Sequence, residues 1–295
     1  MVIWGGSFIA SKVGLGGLYP VELATLRFAI AAPLLFIITI LLEGWSALKV
    51  DIKDMPVLVI MALTGVSLQY IVQFIGMTYT NVTDTALLIN MCTFFVIIPS
   101  ALFLKEKLTL DNFFGVVIAF IGAVLVATRG SLAITPNIIG DGLILVCAIM
   151  WAIYILIGNK LAGKYSVLAQ LNYIFLIGFF TLLPVYLVTP HHALTEISLT
   201  AWECLLYLAL LCSVVAYFVF NLAIIKIGPS RTAIYQYLEP LFAIFFAILL
   251  LGEPLNILIA FGALFIMAGI AMADNNLKII GLFTKAVDGT EKEHQ

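Results

Sequence analysis

Three sets of side chains recur at a spacing of four residues: Gln69 with Gln73, Ser213 with Tyr217 and Asn221, and Arg231 with Tyr235 and Glu239. A step of four keeps side chains on one helix face, so each set is a stripe of hydrogen-bonding groups. Tyr70 adjoins the first stripe, and Asn90, Trp4, Trp151 and Tyr154 add amide, indole and phenol groups elsewhere. Such stripes can line a pocket for a small polar solute. They can also join helix to helix, because Ser, Asn and Gln hydrogen-bond across membrane helices; for the Gln and Asn residues both roles stay open. Glu239 stands apart, since Pro240 follows it and then about a dozen almost uninterrupted apolar residues. A charge at the centre of a membrane helix costs about 2.5 to 3.5 kcal/mol on insertion scales, so it faces a cavity or a partner. Arg231 is two turns earlier, about 12 Å along a helix axis, too far for a comfortable pair. Glu239 is left with two roles, a structural or pocket acceptor beside backbone weakened by Pro240, or a carboxyl that carries a proton between two faces.

These stripes matter only if the chain lies in a membrane, and its composition requires one. Of 295 residues, 63% are hydrophobic and 10% charged, against roughly 45 to 50% and about 25% in soluble domains. A net charge of -2 without a long basic run excludes a nucleic-acid footprint. Cys92, Cys147, Cys204 and Cys212 fall in apolar stretches without a Cys-x-x-Cys pair, and His191, His192 and His294 make no ligand set with them, so neither metal nor cofactor is expected. Apolar stretches near the roughly 20 residues of a membrane span run at about 1–18, 21–43, 55–77, 83–104, 110–128, 141–160, 167–188, 202–226, 231–251 and 255–274. That predicts ten spans with short connections and a polar tail over 275–295. No cleaved signal peptide is expected. Lys49, Lys53, Lys105, Lys107, Lys160, Lys164, Lys226, Arg231, Lys278, Lys285 and Lys292 all fall at even-numbered span ends, and only Arg129 lies in an opposite loop. The positive-inside rule then puts both termini in the cytoplasm, in a cell (inner) membrane.

The two halves match at a constant shift of 147 residues. Trp4 pairs with Trp151, Gly115 with Gly262, Gly122 with Gly269 and Glu106 with Glu253, and "TDTAL" from Thr83 aligns with "SRTAI" from Ser230. Five spans per half make the copies enter the membrane from opposite faces. The expected architecture is an all-α integral membrane protein of two inverted-topology five-helix repeats, 1–128 and 141–274, with a solute site near the midplane. Only three residues precede Trp4, whereas Trp151 follows about ten residues of helix from Asp141, so the first span looks shorter by roughly two turns.

"WGGSFIASK" from Trp4, "LRF" from Leu26, "LFLKEKLT" from Leu102 and "GPSRTAIYQYLEPLFAIFFAILLLGEPL" from Gly228 together resemble the EamA-type branch of the drug/metabolite transporter superfamily, across both halves. The resemblance implies ten helices around a central pocket and carriage of small organic solutes, often outward. The reading is a secondary carrier for a small metabolite, an amino acid or related solute, working by alternating access, with proton coupling through Glu239 left open. A channel and an intramembrane enzyme are the alternatives. The sequence has no HExxH or GxSxG motif for the enzyme, and no GxxxxGK loop for ATP drive.

The pocket residues on this reading are Trp4, Lys12, Gln69, Tyr70, Gln73, Asn90, Trp151, Tyr154, Tyr217, Asn221, Tyr235 and Glu239. Gln73, Tyr217, Asn221 and Tyr235 are expected to share one solvent-reachable cavity. Lys12 either snorkels to the headgroups or stands at the outer mouth as a cation for an anionic solute group, while Arg27 is expected to snorkel. Glu106 and Glu253 are expected to close helix ends, the paired glycines to pack helices closely, and Pro33, Pro99, Pro184 and Pro240 each to remove a helical hydrogen bond.

Overall fold

The structure, a computed structural model, describes residues 1–80, 82–103, 109–128, 137–251 and 257–273. Glu106, Glu253, Arg129 and the tail 275–295 lie outside the described residues. The regular elements among the described residues are helical. They are α1 (Val2–Gly14), α2 (Pro20–Glu43), α3 (Met55–Ala62), α4 (Leu68–Tyr79), α5 (Val82–Ile89), α6 (Cys92–Phe103), α7 (Leu110–Thr128), α8 (Ile138–Gly158), α9 (Val167–Val188), α10 (Leu199–Leu206), α11 (Ala216–Ile227), α12 (Pro229–Ile234), α13 (Leu238–Leu251) and α14 (Ile257–Ala273). Short 3₁₀ turns and two π-helical stretches join some of them.

Six helical runs are long and apolar enough to cross a membrane, among them Pro20–Glu43, Ile138–Leu161 and Leu199–Ile227. α7 and α14 are apolar but shorter, and α1 has 13 residues, about 20 Å of helix against a hydrocarbon core of about 30 Å. Ten spans, as the sequence predicts, therefore exceed what length and apolarity alone establish. The surface is that of a multi-pass membrane protein. Leu41, Leu42, Phe103, Phe180, Val188 and Leu264 are exposed, whereas Glu22, Arg27, Asn172, Ser213 and Glu239 are buried. In water so much exposed apolar surface would associate; against lipid tails it needs no cover.

The sequence pattern does not show where the long helices lose regularity. Between α3 and α4, Leu63–Ser67 is π-helical, and between α10 and α11, Tyr207–Val215 is too. A break at Asn90–Met91 separates α5 from α6, and a 3₁₀ turn at Tyr235–Tyr237 separates α12 from α13. Backbone groups freed by such breaks are tolerated at membrane depth only where protein or a cavity surrounds them. Pro240 is accordingly not a mid-helix kink. It sits in the first turn of α13, directly after the 3₁₀ turn, so the regular ladder is already interrupted where its N–H is missing.

Packing concentrates on residues 147 apart. Trp4 meets Trp151 edge-on at 5.6 Å between ring centroids, Phe28 meets Phe175 at 5.2 Å, and the Tyr70 and Tyr217 hydroxyls lie 3.1 Å apart. α7 and α14 cross with Gly115 against Gly269 and Ala273, and Gly122 against Gly262 and Ile266, so they run antiparallel. A Cβ at Gly122 would stand 2.6 Å from the Gly262 oxygen, and one at Gly269 2.5 Å from the Gly115 oxygen. Only glycine permits that approach. α2 and α9 are clasped at both ends, by the Ser166 hydroxyl on Glu43 at one and by His192 on Glu22 at the other, where Nδ1 lies 2.9 Å from Oε2. Between these clasps Asn172 donates to Thr39.

The glycine contact is directly testable. Gly122→Val forces two backbones apart and is expected to cost about 1–3 kcal/mol, read as a lower midpoint in thermal unfolding followed by tryptophan fluorescence in detergent. Gly142→Ala, at a position where a Cβ meets nothing within 4 Å, is expected to leave the midpoint unchanged or slightly raised.

Candidate functional site

The irregular helices surround a half-open cavity of about 50 Å³, space for about three to five waters. α1 contributes Trp4, Ser7, Phe8 and Ser11, α2 Arg27, α4 Gln69, Tyr70 and Gln73, and α5 Ile89. Trp151 comes from α8, Gln236 from the 3₁₀ turn and Glu239 from α13. Gly5 sets the spacing of the two walls. A Cβ there would lie 2.9 Å from the Ala243 nitrogen and 3.0 Å from the Glu239 oxygen, so its absence lets α1 rest on the backbone of α13.

Arg27 corrects the expectation of snorkelling, being 1% exposed. It stands two turns into α2, about 10 Å from its start, and points into the bundle. Its Nε donates to Ser213 Oγ at 2.7 Å, and its guanidinium lies 4.1 Å from the centre of the Tyr70 ring, a cation–π contact that offsets part of the desolvation. Nη2 is left without a partner. Glu239 is also buried, with Oε1 unpartnered. It stands in the first turn of α13, directly after the 3₁₀ turn. The two charges are not ion-paired with each other; the Met1 ammonium attracts the Glu239 carboxylate, and the Gln236 side chain hydrogen-bonds it. Gln69 contributes another buried, unpartnered acceptor, Oε1.

Trp4, Gln69, Tyr70, Gln73, Trp151 and Glu239 thus line one cavity, and the other expected pocket residues do not. Tyr217 and Asn221 face dry contacts. The Tyr217 hydroxyl donates to the Gly65 oxygen, and Asn221 exchanges hydrogen bonds of 2.7 and 2.9 Å with the Tyr154 hydroxyl. These groups join helices, the alternative left open for such stripes. Asn90 donates to the Ala86 oxygen at the α5–α6 break. Lys12 lies outside the lining, with Nζ donating to the Met77 and Thr80 oxygens at 2.6 and 3.2 Å. It caps the C-terminal end of α4. Tyr235 borders a separate apolar cleft with Thr232 and Phe220. The reason is the 3₁₀ turn, in which residues three apart eclipse. Gln236, not Tyr235, therefore shares a face with Glu239. The common cavity expected for Gln73, Tyr217, Asn221 and Tyr235 thus retains Gln73 alone.

Sequence reasoning missed Arg27, Ser7, Ser11 and Gln236. Trp4, Ser7 and Ser11 at steps of three and four carried a legible helical signal; Gln236 required knowledge of the 3₁₀ turn.

The EamA-like transporter family model matches residues 1–128 and 138–273. An uncharacterized transporter of Archaeoglobus fulgidus is 34% identical over 92% of this chain and 93% of its own, and the uncharacterized transporter YyaM of Bacillus subtilis is 28% identical over 96% and 94%. A solved crystal structure at 17% identity covers 92% of each chain with a TM-score of 0.77, a likeness of fold. A match over both halves of the chain, and a relative alike along almost its whole length, make this protein a member of the EamA-like transporter family.

Proposed function

We propose that the chain is a secondary carrier for a small zwitterionic solute of the amino-acid type, bound in the cavity between Arg27 and Glu239. One observation carries this reading: a buried cation and a buried anion line the same cavity, unpaired with each other, each with an unsatisfied atom. An unpartnered donor on Arg27 calls for an acceptor, and a guanidinium suits a carboxylate. Unpartnered acceptors on Glu239 and Gln69 call for N–H donors, as an ammonium supplies. A solute bearing only one of these groups leaves the opposite charge uncompensated at a low-dielectric site.

Alternating access between two inverted repeats, 1–128 and 141–274, supplies the transport cycle, with ten spans and both termini on the cytoplasmic side of the cell membrane. The antiparallel crossing of α7 and α14 and the contacts between residues 147 apart support a two-fold relation with its axis in the membrane plane. The cavity is small, so solutes with longer side chains require the halves to part. On this reading Glu239 couples flux to a proton. Saturable flux accelerated by solute on the opposite side separates this carrier from a channel.

Two outcomes are expected. Small amino acids raise the thermal midpoint of the purified protein, since a ligand at about 100 times its Kd adds about 2.7 kcal/mol. Propionate and propylamine, each with one charge, do not, and Arg27→Gln abolishes the effect. If the single-charge compounds stabilise equally, the zwitterion reading is wrong. In reconstituted vesicles, Glu239→Gln is expected to retain the fold while slowing flux and flattening its pH dependence. A wild-type rate and pH profile in that variant would exclude an essential ionisable role.

A further inference from the structure

Gly65 and Cys212 stand 147 residues apart, each inside one of the two π-helical stretches. A π turn replaces i→i+4 bonds by i→i+5, and departures from the regular ladder are where side-chain donors enter a helix backbone. Both residues show this. The Gly65 oxygen accepts from the Tyr217 hydroxyl, and the Cys212 oxygen accepts from Trp4 Nε1 at 3.0 Å. Each bond joins a carbonyl of one half to an aromatic donor of the other.

The two donors are not counterparts. The counterpart of Trp4 is Trp151, and that of Tyr217 is Tyr70, so equivalent carbonyls are held by inequivalent partners. The other pair, neither of which bonds these two carbonyls, is close at hand. The Tyr70 hydroxyl is 3.1 Å from that of Tyr217. Trp151 meets both Trp4 and Tyr217 at 5.6 Å and stacks on Tyr154 at 4.9 Å, and the Tyr154 ring covers Gly65 so closely that a Cβ there would clash with it. Trp151 donates no hydrogen bond among the described residues.

We propose that Trp4, Tyr217, Trp151 and Tyr70 are positioning residues for the transport step, and that they exchange the two π-turn carbonyls between its end states. In the state described here Trp4 holds Cys212 and Tyr217 holds Gly65. In the state open to the opposite side, Trp151 Nε1 donates to the Gly65 oxygen and Tyr70 Oη to the Cys212 oxygen. Two hydrogen bonds break and two of the same kind form, so the end states stay close in energy, as a two-state element that must visit both requires. Ser213, which holds Arg27, follows Cys212 in the chain, so a change at that carbonyl reaches the cavity through one peptide unit. The inference rests on the alternating-access reading above.

The test uses Trp4→Phe, Tyr217→Phe, Trp151→Phe and Tyr70→Phe in the full chain in lipid nanodiscs. Hydrogen exchange is compared between helix ends bordering residues 44–54 and those bordering residues 189–198, on opposite faces. Loss of one neutral hydrogen bond shifts a population ratio by about five-fold. Trp4→Phe and Tyr217→Phe are expected to raise exchange on one face and lower it on the other. Trp151→Phe and Tyr70→Phe are expected to do the reverse, and the double variants Trp4→Phe with Trp151→Phe, and Tyr217→Phe with Tyr70→Phe, return towards wild type. Loss of packing alone would move all four variants in one direction, and that result overturns the exchange. So does silence in the Trp151 and Tyr70 variants. Amino-acid flux by the wild type in vesicles is measured alongside: flux without the reciprocal pattern overturns the exchange alone, and absence of flux overturns the carrier reading together with it.

Discussion

The Arg27 guanidinium has to be solvated by the protein itself, and much of the centre of the bundle is arranged to do so. With lipid outside and 1% of its surface exposed, its hydration is replaced by one hydroxyl, the face of one phenol and the space of a few waters. Ser213 reaches it from a π-helical stretch. Tyr70, which forms the platform, has its hydroxyl against that of Tyr217, which in turn holds Gly65 in the other π stretch. Irregular backbone, aromatic cluster and buried charge are therefore one problem in desolvation. Its opposite sign recurs at Glu239, where the Met1 ammonium and the Gln236 side chain act on the carboxylate.

What the sequence made legible was whatever depends on length and apolarity. The apolar stretches lie within a few residues of the observed helical runs because bilayer thickness and the 1.5 Å rise fix how long such a run must be. The glycine pairs were legible as packing devices, and the observed backbone approach across α7 and α14 is of that kind. The candidate site was only half legible. A four-residue step tracks a helix face while there are 3.6 residues per turn, and the interruptions fall beside the cavity. The 3₁₀ turn brings Gln236 in and turns Tyr235 out. Arg27 was misplaced for a different reason: its depth within α2 was compatible with either direction, and the hydroxyl that draws it inward stands 186 residues away.

α2 and α9 are tied at several points along their length. Hydrogen bonds tie both ends, and the middle holds Phe28 on Phe175 and Asn172 on Thr39. The π stretches lie on neighbouring helices. The tied pair and the π-helical stretches are thus neighbours around Arg27.

The charges of the cavity also bear on why one continuous chain carries both halves. The position 147 residues after Arg27 is Ile174, and that 147 residues before Glu239 is Cys92; both are buried. An assembly of two identical half-length chains would have to install every charge twice. Its cavity would hold two guanidiniums and two carboxylates, or two of one sign. A fused chain is free to write a cation into one copy and an anion into the other, giving the cavity a head and a tail. Such a cavity is asymmetric end to end, whereas one built by two identical half-length chains would read the same from either end.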